Sequence, residues 1–257
     1  MFDAFMRMGP DELGEEMVAA AALIPGCFDA LRDRAVASNV WYTRISDQLV
    51  AELVGGRAEM RKGEQTRQEI IRKAAPIFNQ KGYAGAALSD LMRATGLEKG
   101  GIYRHFSSKE ALAAEAFDYA WRETLHARIH DLDTISNTVD RLKQLVANFV
   151  ERRGTIPGGC PLLNTAIDTD DGNSVLRERA RKALRGWRSY LISMINSGIK
   201  AREIRPRVDA KKLATLIISS LEGAIMVYRL ERSEEALRGV QAHLDSYLET
   251  EVRVPSK

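Results

Sequence analysis

Apolar residues recur at three- and four-residue steps along most of the chain after position 64, a spacing that places them on one face of an α-helix. No run of useful length alternates between apolar and polar residues as a half-buried strand does. The pattern therefore predicts an all-α protein. The expected helices are one from Glu64 to just before Gly82, then 88–95, 98–106, a long fourth helix capped by Ser108, 136–153, a short sixth helix after Pro161, 174–201, 209–230 and a ninth helix capped by Ser233 and ending near Leu248.

The eighth predicted helix is apolar around most of its circumference. Together with the ninth helix it presents more apolar surface than one chain can cover, which favours a four-helix interface with a second copy of the chain. The residues predicted to form this dimer interface are Leu213, Ile217, Leu221, Ala224, Leu237, Val240 and Leu244.

The composition, with 45% apolar and 28% charged residues, is typical of a folded water-soluble protein and excludes the disordered and fibrous classes. The longest nearly apolar run, residues 17–28, contains Pro25 and Gly26 and is shorter than the roughly 20 residues of a membrane-spanning helix. The two cysteines, Cys27 and Cys160, are too far apart in the sequence to suggest a disulfide framework or a metal knuckle. We expect a cytoplasmic protein with no membrane partner.

Charge is distributed unevenly along the chain, although the net charge is only +3. Residues 1–59 carry five arginines, no lysine and ten acidic residues, whereas residues 60–112 carry ten basic and five acidic residues. A local basic excess on a nearly neutral chain favours a polyanionic partner, because each neutralised phosphate releases counterions.

A helix, a glycine turn and a short helix follow one another inside this basic block, with the turn at Gly96. This is the layout of a helix-turn-helix, whose second helix lies in the major groove of DNA. On that second helix, Lys99, Tyr103 and Arg104 offer donors to phosphates and base edges. Gly100 costs the helix about 1 kcal/mol relative to alanine, which is easier to explain if the backbone closely approaches a phosphate.

The run from Gly82 to Leu112, GYAGAALSDLMRATGLEKGGIYRHFSSKEAL, resembles the DNA-binding domain of the TetR/AcrR family of bacterial transcriptional regulators. The nine-helix layout from Glu64 to Leu248 extends this resemblance over about three quarters of the chain. The residues that match the family pattern are Gly82, Tyr83, Asp90, Gly96, Lys99, Gly100, Tyr103, His105, Phe106, Ser108, Lys109, Glu110 and Leu112, with Thr66 and Arg67 at the start of the first helix.

The resemblance implies a three-helix DNA-binding domain in residues 60–107 and a six-helix ligand-binding and dimerisation domain in residues 108–257. It also implies a homodimer that binds a palindromic operator as a repressor and releases it when a small molecule enters the second domain. The residues expected to contact double-stranded DNA are Thr66, Arg67, Lys99, Gly100, Tyr103, Arg104, His105 and Lys109.

Four residues depart from the family pattern. Ala86 and Ala87 replace the usual hydroxyls at the second helix, Met92 replaces a small residue, and Glu98 stands where Ser or Thr often caps the third helix. Glu98 complements the helix dipole but repels a nearby phosphate. These departures leave open an alternative function, a helical ligand- or protein-binding module with weak DNA affinity.

The acidic segment of residues 1–59 precedes Met60, after which the chain has the ordinary length of the family. Two interpretations remain open. The segment forms loosely ordered helices that shield the basic surface, or it is an upstream stretch included by an early start codon. Because its apolar surface is small compared with the entropy of ordering it, we expect a chain starting at Met60 to dimerise and bind DNA like the full chain.

Aromatic and sulfur-containing side chains are spread over the helices that the family packs around its ligand pocket, which implies an apolar or aromatic effector. The candidate ligand-binding residues are Phe117, Trp121, Phe149, Cys160, Trp187, Tyr190 and Met194, with Tyr228 beside them.

Cys160 precedes Pro161 and so lies where a helix begins, a position at which the helix dipole lowers the pKa of a thiol. The alternatives are a thiol-based electrophile sensor and a small residue packed at a helix start.

Glu123, His126 and His130 have a spacing that could hold a metal, but a solvated helix face explains them better, and we expect neither metal nor cofactor. Because the sequence offers no catalytic triad, phosphate loop or dinucleotide fingerprint, we do not expect an enzyme.

Overall fold

The computed structural model describes residues 62–152, 156–169 and 172–255, so the predictions for residues 1–59 lie outside the described residues. The described part is all-helical, as the sequence pattern predicts. Its helices are α1 (Lys62–Gly85), α2 (Leu88–Thr95), α3 (Lys99–Tyr103), α4 (Lys109–Ile129), α5 (Thr138–Glu151), α6 (Pro161–Asp168), α7 (Ser174–Lys200), α8 (Ala210–Glu231) and α9 (Glu235–Tyr247).

Polar side chains mark where several helices begin. Ser108 accepts a hydrogen bond from the backbone of Ala111 at the start of α4, and Asp209 accepts from Lys211 and Lys212 at the start of α8. Each of these caps satisfies amide groups that the first helical turn leaves without partners. The helices α4 and α8 therefore begin where the sequence predicts, at Ser108 and Asp209.

The helix α3 is shorter than expected, since it ends at Tyr103 whereas the pattern predicts a helix over 98–106. Two glycines among its five residues weaken its helix propensity. After it the chain turns so that Phe106 is buried with Ile102 in the core of the first three helices. This core also contains Leu112 and Ala116 from α4, so the fourth helix packs against the first three helices as well as against the rest of the chain.

A second core joins α5, α7, α8 and α9. Its central member is Trp187, which packs edge-on against Trp121 and stacks with Tyr190. The fully buried residues Leu142 and Ile217 line the same core from α5 and α8. The two cores meet along α4, and this shared helix positions the first three helices relative to the rest of the chain.

The prediction for the dimer interface assigns most of its residues to the wrong face. Six of the seven are buried inside the protomer and cannot contact a second copy, namely Leu213, Ile217, Leu221, Ala224, Leu237 and Leu244. Val240 is only partly buried, but it packs against the same core. A helix that is apolar all round has no polar face to reveal which side turns inward. The outward side of α8 exposes a different apolar set, Leu216, Met226, Val227 and Leu230.

By length and hydropathy, α8 is the one described helix that could cross a membrane. Its buried residues, however, pack against α5, α7 and α9 in the second core. The apolar character of α8 is therefore that of a core helix with one additional exposed apolar face.

Candidate nucleic-acid interface and ligand cavity

The turn of the helix-turn-helix is closed by Gly96, which adopts a left-handed conformation with φ 70° and donates its amide to the carbonyl of Met92. Glycine adopts this conformation without the steric cost that a Cβ atom brings. Leu91 and Ile102, on either side of the turn, are buried. The turn and these two anchors fix α3 against α2.

The start of α2 lacks the hydroxyl cap because Ala87 occupies the capping position. Asp90 takes over part of this role, since its Oδ2 accepts a hydrogen bond from the Ala87 amide at 3.3 Å. The same carboxylate lies 2.7 Å from Lys81 Nζ, and this contact with an ammonium group lowers the pKa of Asp90. The departure at Ala87 therefore leaves the geometry of α2 intact.

The outer face of α3 is solvent-exposed and rich in hydrogen-bond donors. Lys99, Tyr103 and Arg104 are exposed on it, and His105 is half-buried at its edge. A Cβ atom added to Gly100 would meet nothing within 4 Å, so packing within the protein does not require glycine there. Glu98 lies at the start of α3 and makes no capping hydrogen bond with its side chain.

Two cations expected on the DNA are engaged inside the protein instead. Arg67 Nη2 lies 2.6 Å from Glu115 Oε1, and its guanidinium stacks over the Phe106 ring. Lys109 Nζ donates to the carbonyl of Tyr83 at 2.6 Å and lies 4.6 Å from the centre of the Tyr83 ring. Both side chains fasten the first helix and its C-terminal turn to α4. Spacing along the sequence cannot distinguish such a clamp from a phosphate contact.

Thr66, also expected on the DNA, is half-buried in the first turns of α1. Its hydroxyl donates to the carbonyl of Lys62 at 2.9 Å. Because a phosphate oxygen only accepts hydrogen bonds, a contact of Thr66 with a flanking phosphate would require this hydroxyl to turn away from the Lys62 carbonyl.

A cavity of about 560 Å³ lies in the larger domain, between α4, α5, α8, α9 and the segment before α6. Its apolar walls come from Phe149, Ile156, Ile225 and Leu237. Its polar lining is dominated by arginines and includes Gln80, Thr124, Arg128, Arg152, Cys160, Tyr228, Arg229 and Arg232. The size is that of a typical small-molecule site, for which cavities are about 300–1,000 Å³.

Arg128 is the one deeply buried cation of this cavity, with 4% of its side chain exposed. Its guanidinium lies 4.1 Å from the centre of the Phe149 ring, and Trp121 and Trp187 also face it. Arg128 Nη2 donates to Glu222 Oε1 at 3.1 Å and to Cys160 Sγ at 3.2 Å. A buried guanidinium is tolerated when it is paired and hydrogen-bonded in this way.

The cavity is connected to the DNA-binding domain through a hydrogen-bond network around Asn79 on α1. Asn79 Nδ2 donates to the carbonyls of Pro157 and Gly159, which line the cavity. Asn164 on α6 donates in turn to the carbonyl of Asn79 at 3.0 Å and to that of Gly158 at 2.9 Å. The end of α1 is thus held directly by the backbone that forms one wall of the cavity.

Comparison with known proteins agrees with this architecture. Residues 70–116 match the model of the bacterial regulatory proteins of the tetR family, and residues 138–244 match the tetracyclin repressor-like C-terminal domain. A TetR transcriptional regulator from Chloroflexus aurantiacus J-10-FL is 46% identical, and the match covers 76% of this chain and 100% of that one with a TM-score of 0.73. This chain belongs to the TetR family.

Other TetR-family proteins are more distant. A regulator from Cytophaga hutchinsonii is 36% identical, with a TM-score of 0.72 over 77% of this chain and 100% of that chain. The HTH-type transcriptional repressor DhaR from Mycobacterium sp. (strain GP1) is 28% identical over 66% of this chain and 86% of its own length. The family consists of DNA-binding transcriptional regulators, and this TetR-family protein is a regulator rather than an enzyme.

Of the two alternatives for Cys160 in this TetR-family protein, the structure favours a small residue packed at a helix start. Cys160 is at the start of α6, before Pro161, as predicted. It is nevertheless buried, and this burial raises the pKa of the thiol to about 11, with Arg128 opposing the shift and Glu222 adding to it. The Cys160 thiol also donates to Glu222 Oε1 at 3.1 Å. At neutral pH the thiol is protonated, so it is unsuited to act as an electrophile sensor.

Two of the seven predicted ligand-binding residues, Phe149 and Cys160, line the large cavity. Tyr228, which was noted beside them, lines it as well. Phe117 lies at a separate, smaller pocket of about 30 Å³. The remaining four pack within the second core of this TetR-family domain, namely Trp121, Trp187, Tyr190 and Met194.

The sequence analysis missed the cationic lining of the cavity. Thr124 and Arg128 continue the stripe that begins at Phe117 and Trp121 at steps of four, three and four residues. An arginine on an otherwise apolar stripe is a signal for a buried polar site. Leu237, which was assigned to the dimer interface, is instead part of the cavity wall.

The spacing of Glu123, His126 and His130 does not produce a metal site in the part of the chain that the structure describes. No group of three or more His, Cys, Asp and Glu side chains there is arranged to hold a metal ion. His130 Nδ1 lies 2.7 Å from the Asp131 carboxylate at the end of α4. These residues of the TetR-family protein occupy a helix face and its C-terminal end.

Proposed function

We propose that this regulator is a cytoplasmic repressor that binds a palindromic operator as a homodimer and releases it when a small molecule occupies the 560 Å³ cavity. Residues 60–107 form its DNA-binding domain in this proposal, and residues 108–257 form its ligand-binding and dimerisation domain. The observation that carries the proposal is the exposed donor face of α3 on a helix-turn-helix of this family.

The proposed DNA contacts are Lys99, Gly100, Tyr103 and Arg104, with His105 and Thr66 at the edge. A lysine and an arginine supply charge for phosphates, and an arginine can also read guanine in the major groove. The uncrowded Gly100 lets a phosphate approach the backbone amides of α3. Arg67 and Lys109 are left out of this surface because their side chains are used within the protein.

The proposed dimer surface is the outward face of α8. Leu230 has 76% of its surface exposed there, and Leu216, Met226 and Val227 lie on the same helix. Large apolar residues grouped on an exposed face mark an interaction site. A two-fold interface built from α8 and α9 of each copy would bury this set and place two copies of α3 on successive turns of one face of DNA.

One observation favours the alternative, a helical binding module with weak DNA affinity. Glu98 is exposed beside Lys99 at the N-terminus of α3, where a phosphate would otherwise be attracted by the helix dipole. In this alternative the cavity binds its ligand and the dimer forms, but no operator is preferred.

DNase footprinting of the full chain on the DNA upstream of its own gene tests the proposal. We expect a protected palindrome whose half-sites are separated by about one helical turn or a multiple of it. Affinity for it should exceed that for random DNA by about 10³-fold or more and fall steeply with salt. Equal affinity for all sequences would support the binding-module alternative.

A further inference from the structure

The lining of the large cavity is cationic. Four arginines contribute to it, whereas no Asp or Glu is among the described residues that line it. Arg128 is balanced by Glu222 behind it, and Arg152 lies 3.6 Å from the Asp131 carboxylate. Arg229 donates to the neutral amide oxygen of Asn164 at 3.2 Å and makes no ion pair within the described residues. The cavity therefore has a positive excess that an anion would neutralise.

One of the arginines that line the cavity has a donor that lacks a partner. Arg128 Nη1 is buried and has no hydrogen-bond partner among the described residues, whereas Nη2 is used by Glu222 and Cys160. A buried donor that is left unpaired is costly, and in native proteins it usually has a partner. The aromatic rings of Phe149 and Trp121 hold the guanidinium in place, so this donor is fixed before any ligand arrives.

We infer that the effector is an organic anion, a carboxylate on an apolar body, whose carboxylate pairs with the arginines of the cavity lining, Arg128 among them. The apolar body would lie against Phe149, Ile225 and Leu237, which form the walls of the same cavity. This inference rests on the proposed function in one respect only, that the cavity is the effector site. It corrects the expectation of a purely apolar effector, because such a molecule would leave the positive charge of the lining without a counter-charge.

The position of Glu222 favours a carboxylate over a neutral amide. Glu222 is not among the residues that line the cavity, and its Oε1 accepts hydrogen bonds from Arg128 and Cys160. Its second oxygen, Oε2, is buried without a partner in the described part of the chain. A neutral amide brings a donor for which the described lining offers no carboxylate and brings no charge to pair with the arginines, whereas a carboxylate pairs with them. A cationic ligand would face the arginines without any carboxylate in the lining.

Direct binding to the full-length protein without DNA tests the inference. The probes are monocarboxylates from phenylacetate to decanoate, each compared with its own amide and with the amine of equal length. Binding is followed by tryptophan fluorescence, since Trp121 and Trp187 lie within 6 Å of the Arg128 guanidinium, and by calorimetry. We expect at least one carboxylate to bind about 10- to 100-fold more tightly than its amide. If no carboxylate in the series exceeds its amide, the inference is overturned.

Variants on either side of the guanidinium separate an anion site from a neutral one. Arg128→Gln should abolish the preference for carboxylate over amide. Glu222→Gln should strengthen carboxylate binding, because it removes the negative charge nearest to Arg128. A neutral ligand that used both groups would bind more weakly to both variants, and that result would contradict the inference.

Substitutions at the exposed rim of the cavity provide a test that does not depend on whether the buried variants fold. The double variant Arg229→Gln and Arg232→Gln should weaken carboxylate binding and flatten its salt dependence. Arg207→Gln provides a matched control, since Arg207 is exposed, is paired with Glu251 and does not line the cavity. If the double variant and the control bound the carboxylate equally well, the result would contradict the inference of an anionic effector. Because no step uses DNA, a protein that binds the carboxylate but prefers no operator would disprove the repressor proposal and leave this inference standing.

Discussion

Asn164 on α6 donates its side-chain amide to both the backbone carbonyl and the side-chain oxygen of Asn79 on α1, each at 3.0 Å. Asn79 in turn donates to the carbonyls of Pro157 and Gly159 in the cavity wall. Because α1 supports the DNA-binding helices, a ligand that displaces this wall changes the hydrogen bonds at the end of α1. Asn79 and Asn164 together thus form a hydrogen-bonded link between the cavity wall and α1.

We expect Asn164→Ala to reduce the effect of ligand on DNA binding. The substitution removes the bonds to Asn79 and Gly158, through which a moved cavity wall would pull on α1. Allosteric coupling in proteins is typically 5- to 150-fold, and in the variant the operator Kd should change less than in the parent when the carboxylate is added. Operator titrations with and without carboxylate measure it. Unchanged coupling would contradict a role for Asn164 and leave the direct bonds of Asn79 to Pro157 and Gly159, or α4, as the route of the signal.

The role of Gly100 is tested by Gly100→Ala. No atom of the protein would contact the added Cβ, so the variant should fold and gain up to about 1 kcal/mol from helix propensity. Operator affinity should nevertheless fall, because the methyl group obstructs the approach of a phosphate to the backbone of α3. Gly186→Ala on α7 is the matched control, since its Cβ would also meet nothing within 4 Å. Full operator affinity in Gly100→Ala would contradict the proposed contact.

Lys99 and Lys109 should behave differently although both lie close to the helix-turn-helix. Lys99→Ala should lower the slope of log K against log salt by about one, as expected for the loss of one phosphate contact. Lys109→Ala should leave the slope nearly unchanged and lower the free energy of unfolding by about 1 kcal/mol, because it removes the hydrogen bond to the Tyr83 carbonyl. Salt titrations and urea unfolding of both variants measure this difference. A changed slope for Lys109→Ala would show that Lys109 contacts DNA.

The sequence predicts the order of the helices well because it contains local signals for their ends. Gly96 marks the turn, Ser108 caps α4, and Asn173 caps α7. The choice of inward face on α8 depends instead on which neighbours pack against it, and that information is not local. For the same reason Arg128 is recognisable as unusual on its stripe, but its partner Glu222 is 94 positions away in the chain.

Cys160 should resist alkylation in the folded protein. Burial raises the pKa of its thiol to about 11, so at pH 7 to 8 the reactive thiolate is scarce. In a Cys27→Ser background, iodoacetamide should modify native Cys160 slowly and the urea-unfolded protein quickly. The raised pKa also predicts that stability falls as the pH rises from about 9 to 11, because over that range the unfolded chain loses the proton that the folded chain keeps. Rapid native modification at pH 7 would revive the electrophile-sensor hypothesis.

The exposed face of α8 provides the test of dimerisation. Leu230→Glu places a charge at the most exposed large apolar residue of the protomer's described part. Burying that charge without a partner in an interface would be unfavourable by several kcal/mol, so the variant should be monomeric in sedimentation equilibrium while its far-ultraviolet circular dichroism stays helical. Ile167→Glu is the control, because Ile167 is also an exposed apolar residue but belongs to α6 rather than α8. Since two copies of α3 are needed to contact both half-sites, operator affinity should fall with the dimer in Leu230→Glu and persist in Ile167→Glu. A dimeric Leu230→Glu would assign the interface to another surface of the larger domain.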